Sequence, residues 1–166
     1  MSYKKALLLF TAAFILQFSV INLVSIDGVT PDLLLCLVMI ITFLYDDGYR
    51  YSVLGIVFAL LRDVCVGQYV GVGALGTVLV IGIIIFFEGS INKENFMSTL
   101  IVAASGTLIY NLFCWAVLAL LGNPTSILYV LMYQPLSVAY NVAVVSLMYK
   151  FMIKKAIRHQ KDRYYV

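Results

Sequence analysis

The chain has 166 residues, of which 63% are hydrophobic and only 11% charged, with a formal net charge of +3. A water-soluble domain carries about a quarter charged residues, so this composition excludes an ordinary soluble protein, and a mean hydropathy of +1.02 assigns most of the surface to lipid. At about 20 residues per spanning helix, the length holds roughly six short spans with tight loops and leaves little for a soluble domain.

The first span is expected over residues 6–24. Lys4 and Lys5 ahead of it imitate the start of a signal peptide. Leu23-Val24-Ser25-Ile26-Asp27 offers no convincing small-residue cleavage site, however, and the rest of the chain is equally apolar. An uncleaved first helix is therefore favoured. In the turn that follows, Thr30 is placed as an N-cap, Pro31 at the first helical position and Asp32 in the first turn, where the helix dipole favours an anion. The second span runs to about Tyr45. Only residues 33–45 are uninterrupted, a length at which a re-entrant segment is the alternative to a full crossing.

Asp46-Asp47-Gly48-Tyr49-Arg50 reads as the next loop, and spans three and four share residues 51–87 with a turn near Gly67-Gln68. A polar loop over residues 88–95 precedes a fifth span over residues 96–121. Gly122-Asn123-Pro124 is a strong turn signal, and a sixth span runs over residues 127–149. The expected organisation is an all-α integral membrane domain of about six spans over residues 1–149, followed by a basic cytoplasmic tail over residues 150–166. The alternative is five spans with a re-entrant piece.

With the N-terminus inside, Lys4, Lys5, Arg50, Lys93, Lys150, Lys154, Lys155, Arg158, Lys161 and Arg163 all fall on inner segments. Arg62 alone is left over. That asymmetry fits the positive-inside rule and places both termini in the cytoplasm. The tail alternates Lys150, Lys154, Lys155 and Arg158 with Phe151, Met152, Ile153 and Ile157. As a helix it would lay an apolar face on the inner leaflet while its cations meet anionic lipid. It is too short and too close to the membrane to suggest nucleic-acid binding.

Arg62 and Asp63 are adjacent charges inside an apolar, glycine-rich stretch. A charge near the middle of a membrane helix costs roughly 2.5–3.5 kcal/mol. Neighbours on a helix point about 100° apart, so the pair cannot fully satisfy itself. Two readings stand: the charges face other protein, or a short helix ends there and both reach the outer headgroups. Around them, Gly67 and Gly71 have GxxxG spacing, and Gly55 with Ala59 is a second small-residue pair. Such spacing serves either a subunit interface or packing within one chain. In the last span Pro135 frees a backbone carbonyl. Asn141, beside Tyr140, and Asn111 on the fifth span are placed to hydrogen-bond between helices.

The three cysteines, Cys36, Cys65 and Cys114, sit in apolar runs, and the single histidine, His159, lies in the tail. Neither metal nor cofactor is expected from that set. No nucleophile–base arrangement and no phosphate-binding loop is visible, so a non-enzymatic role is expected.

Thr30-Pro31-Asp32-Leu33-Leu34-Leu35 resembles a segment of the rod shape-determining protein MreD family. Gly55 followed by Leu60-Leu61-Arg62-Asp63-Val64, then Gly67 and Gly71-Val72-Gly73-Ala74-Leu75, is similar to that family's glycine-leucine-aspartate region. Pro135-Leu136-Ser137-Val138-Ala139-Tyr140-Asn141 is similar to its last-span pattern. Ala59 stands where a glycine is expected before Leu60, and Arg62 adds a charge beside the family's aspartate. The resemblance implies a fold similar to the six-helix substrate-binding subunits of energy-coupling-factor transporters. It further implies an inner-membrane component of the bacterial cell-elongation complex, helping couple cytoskeleton to peptidoglycan synthesis. The partners implied are an MreC-like protein, a RodA-like glycosyltransferase with a class B penicillin-binding protein, and indirectly MreB; a homo-oligomer is also open. The rival reading is a vitamin-binding transporter subunit. Ala6, Ala12 and Ala13 lack the AxxxA spacing by which many such subunits dock.

Overall fold

The computed structural model describes residues 3–19, 28–45, 47–67, 69–87, 89, 91–93, 95–123 and 126–164, with side chains as far as residue 153. The end of the expected first span, Asp46, Gln68, Glu88, Pro124 and the side chains of Lys154, Lys155 and Arg158 lie outside those residues. The described residues form six helices: α1 (Tyr3–Ser19), α2 (Leu33–Leu44), α3 (Gly48–Val66), α4 (Val72–Phe87), α5 (Phe96–Leu120) and α6 (Ile127–Tyr164). No β-strand occurs among the described residues.

The sequence of α2, Leu-Leu-Leu-Cys-Leu-Val-Met-Ile-Ile-Thr-Phe-Leu, is apolar on every face, and such a helix has to be enclosed. Every residue from Leu34 to Leu44 is buried, and α1, α3, α4, α5 and α6 all pack on it. Its 12 residues extend only about 18 Å. That is acceptable because its flanks meet protein, so nothing obliges it to match the thickness of a solvent layer. Around it, α1 contributes Ala6, Phe10 and Ala13, one face at helical spacing. Phe10 is fully buried and stacks on Phe58 of α3 at 5.9 Å.

Two helix starts differ from expectation. Thr30 is not the N-cap of α2; Asp32 is, with extended backbone and its Oδ1 accepting from Leu35 N at 3.0 Å. The Pro31 carbonyl, which a helical Pro31 would give to Leu35, instead accepts from Gln17 Nε2 at 3.2 Å. The Asp32 carboxylate takes the Leu35 donor and sets the start two residues later. The second difference is α3, which begins at Gly48, so Tyr49 and Arg50 belong to its first turn rather than to a loop. Gly48 lies directly on the end of α2, where a Cβ would overlap the backbone of Ile41 and Thr42. Ser52 Oγ donates to Gly48 O at 2.9 Å and shares a short hydrogen bond with Thr42.

The buried side of α3 is a stripe of small and polar residues at intervals of three and four: Gly48, Ser52, Gly55, Ala59 and Asp63. The pairing of Gly67 with Gly71 as a helix-packing motif is corrected. Gly67 caps the end of α3 and Gly71, at φ +97°, forms the turn into α4. A left-handed residue cannot continue a helix, and glycine adopts that conformation without steric cost. Neither glycine therefore presents a groove to another helix.

At the far end of α5, Gly122 at φ +88° closes the helix. Asn123 N donates to Leu118 O at 3.0 Å and Gly122 N to Ala119 O at 3.1 Å, the paired bonds of a Schellman stop. Helix α6 then runs through Pro135 and continues without a break past residue 149. Among the described residues, two helices are long and apolar enough to cross a membrane, Phe96–Leu120 and Ile127–Ile153. Only 28% and 22% of their most apolar stretches are buried inside the protein, whereas the core helix of a soluble protein is mostly buried.

Candidate functional site

At the end of the fold where α2 and α4 begin, Asp32, Arg62 and Asp63 meet. Arg62 Nη1 donates to Asp32 Oδ2, and its Nη2 donates to the Tyr110 hydroxyl and lies 3.5 Å from Asp63 Oδ1. The guanidinium carbon is 5.9 Å from the Tyr110 ring centre. Side-chain exposure is 18% for Arg62 and Asp32 and 8% for Asp63, so the charges face protein. Of the two sequence readings for this pair, the structure takes the first.

Two acids around one arginine leave an excess negative charge, and helix ends supply the balance. Asp32 caps α2 through Leu35 N, and Asp63 Oδ2 accepts from Ala74 N, in the first turn of α4, at 3.0 Å. Each helix N-terminus is equivalent to about half a positive charge. Two such ends offset the extra carboxylate without a second cation. Gly73 makes the arrangement possible, because a Cβ there would press on both Arg62 and Asp63. Gly76 leaves space for the Tyr110 ring in the same way, with a would-be Cβ contact of 2.9 Å.

Asn141 ties α6 to this centre. Its Oδ1 accepts from Asp32 N at 2.9 Å and its Nδ2 donates to Thr107 Oγ1 at 3.2 Å. Gln17 of α1 holds the opposite side, its Oε1 accepting from Leu33 N at 2.8 Å. Residues from all six helices thus converge on the N-terminus of α2. Asn141→Leu removes the acceptor of the Asp32 amide while Thr107 keeps its own bond to Ala103 O. The expected cost is about 1–3 kcal/mol, that of one orphaned backbone donor. It is read as a lower thermal unfolding midpoint in detergent micelles, and an unchanged midpoint would show that the bond carries no stability.

The remaining sequence candidates lie elsewhere. Asn111 faces α6, donating to Gln134 Oε1 at 2.9 Å and Ser137 Oγ at 3.0 Å. Pro135 is exposed, Tyr140 is half-buried beside Asn141, and Gly67 and Gly71 belong to the α3–α4 turn. Lys150 is exposed on α6. Tyr110, Thr107 and Gln17 belong to the cluster but were not singled out by sequence, because lone polar atoms in apolar runs read as ordinary core or turn residues. The cluster holds its polar groups against one another, and its chemistry is that of a structural clamp. No protein-family model, no curated protein and no solved structure matches this chain.

Proposed function

We propose that the chain is a non-enzymatic, MreD-like component of the bacterial cell-elongation complex, set in the cytoplasmic membrane with both termini inside. One observation carries this reading. The three separated segments that resemble the family meet at one place: Arg62 pairs with Asp32, Asn141 holds the Asp32 amide, and Asp63 caps the helix containing Ala74. Chance likenesses have no reason to converge, whereas segments retained together for one fold do.

The membrane part of the proposal is supported by α5 and α6, long, apolar and turned outward. In this reading all six helices cross the bilayer, and α2 does so as a short rod sheathed by the other five. The charged cluster is tolerable at depth because it faces protein. The role follows from the partners. An MreC-like protein and a RodA-like glycosyltransferase with its penicillin-binding protein sit on the exposed apolar helices, with the MreB cytoskeleton reached indirectly.

The test is a pull-down of the tagged chain from native membranes in gentle detergent, read by mass spectrometry. Recovery of MreC-like and RodA-like proteins is the expected result. Recovery of a transmembrane coupling subunit with paired ATPases would overturn it in favour of a vitamin-uptake subunit. Asp63→Ala is expected to reduce partner recovery well below that of Asp46→Ala, and equal recovery would separate the cluster from assembly.

A further inference from the structure

Between α5 and α6 lies a cavity of about 300 Å³ whose lining includes none of Asp32, Arg62 and Asp63. Trp115, Tyr129 and Tyr133 form an aromatic wall, and Asn111, Asn123, Gln134 and Ser137 add polar groups to its lining. Among the described residues, no Asp, Glu, Lys or Arg contributes to it. Tyr129 is 57% exposed, so the cavity reaches the surface on that side.

Gln134 is the informative residue. It is only 5% exposed, its Oε1 is held by Asn111, and its Nε2 has no hydrogen-bond partner among the described residues. Buried polar atoms nearly always have partners, and an orphan amide donor lining a cavity calls for an explanation. Small-molecule sites are built in this manner, with apolar and aromatic walls and a few placed polar groups. A cavity of about 150 Å³ takes benzene, so twice that volume takes roughly a dozen non-hydrogen atoms.

We propose that this cavity binds an uncharged molecule, or the uncharged part of one, that presents a carbonyl or hydroxyl oxygen to Gln134 Nε2 and an apolar body to the aromatic wall. A neutral donor in an uncharged lining offers nothing to offset desolvation of a phosphate or carboxylate, so anions are excluded. The oxygen can come from a free compound or from the ester region of a membrane lipid. The inference does not depend on which complex the chain joins.

Trp115 is the only tryptophan in the chain and lines the cavity, so its fluorescence reports occupancy. Two heavy-atom quenchers serve as probes for the protein in micelles: 4-bromoacetophenone for a free ligand, and a dibromostearoyl monoglyceride for the lipid source. Saturable quenching by either supports the site, and the one that saturates identifies the source. 4-Bromobenzoate is expected to leave the saturable component absent. Gln134→Leu is expected to weaken binding about tenfold, the effect of one lost hydrogen bond. Ala119→Leu, at an exposed lining position where folding is not at risk, is expected to abolish saturation by filling the mouth. Quenching by both probes that rises linearly, and equally in wild type and Ala119→Leu, would overturn the proposal.

Discussion

Arg62→Met is expected to cost about 3 kcal/mol of unfolding free energy, near the lower end of the range for breaking a buried ion pair. The guanidinium bonds Asp32 and the Tyr110 hydroxyl and lies 3.5 Å from Asp63, so its removal leaves two carboxylates facing each other in an enclosed site. The loss stays below about 5 kcal/mol because both carboxylates keep backbone donors at helix starts, Leu35 N and Ala74 N. Arg62→Lys should fall between the two, since an ammonium supplies one point of charge and cannot span Asp32 and Tyr110 together. The decisive variant is the triple change Asp32→Asn, Arg62→Met and Asp63→Asn. Asparagine still caps a helix, and no charge is left uncompensated, so stability should return to within about 1–2 kcal/mol of wild type. Equilibrium unfolding in detergent micelles reads all three. A triple variant as unstable as Arg62→Met would mean that packing by the arginine stem, not charge balance, holds the site.

The sequence was most legible where hydropathy alone decides. The four later helices begin or end within a few residues of the turns that Gly67, residues 88–95 and Gly122 announce. It was least legible where two local rules compete. Thr30 and Asp32 are both good caps, and the choice between them rests on distant partners: Gln17 on the Pro31 carbonyl and Leu33 amide, Asn141 on the Asp32 amide and Arg62 on its carboxylate. Gly67 and Gly71 satisfy a packing spacing and a turn signal at once, and the backbone at Gly71 selects the turn. Arg62 and Asp63 were visible as charges needing partners, but the partners lie 30 and 48 positions away at Asp32 and Tyr110. Asn141 reaches Asp32 across 109 positions. No periodicity encodes such pairings, because each helix pattern says which face is buried and not what it is buried against. Tyr110 was the hardest, since an aromatic in an apolar run carries no mark of where its hydroxyl goes.

Gly55→Ala is expected to destabilise the wild type but not a Val38→Ala background. A methyl at position 55 would overlap Val38 Cγ2 and come within 3.1 Å of Phe10 Cε1. Both neighbours are almost fully buried, at 1% and 0% exposure. A valine in a helix is nearly locked at χ1, so Val38 cannot turn its methyl away, and the helices have to separate. Overpacking of this kind costs about 1–3 kcal/mol. Against it stands a gain of about 1 kcal/mol in helix propensity when alanine replaces glycine. Gly82→Ala measures that gain by itself, because a Cβ at Gly82 meets nothing within 4 Å. In the Val38→Ala background the overlapping methyl is gone, only the Phe10 contact has to yield, and the propensity gain should bring the net effect to about zero. The cycle should therefore return a coupling of up to about 2 kcal/mol, within the range of residues in direct contact. Its outcome bears on assembly as well as on packing. Gly55 and Ala59 form the small-residue pair that a partner subunit would use, yet in the structure both are buried, Gly55 against α1 and α2. If Gly55→Ala costs the same in both backgrounds, Val38 is not what fills that face, and the stripe would have to be reassigned to a partner. A coupling of the expected size assigns it to the chain itself.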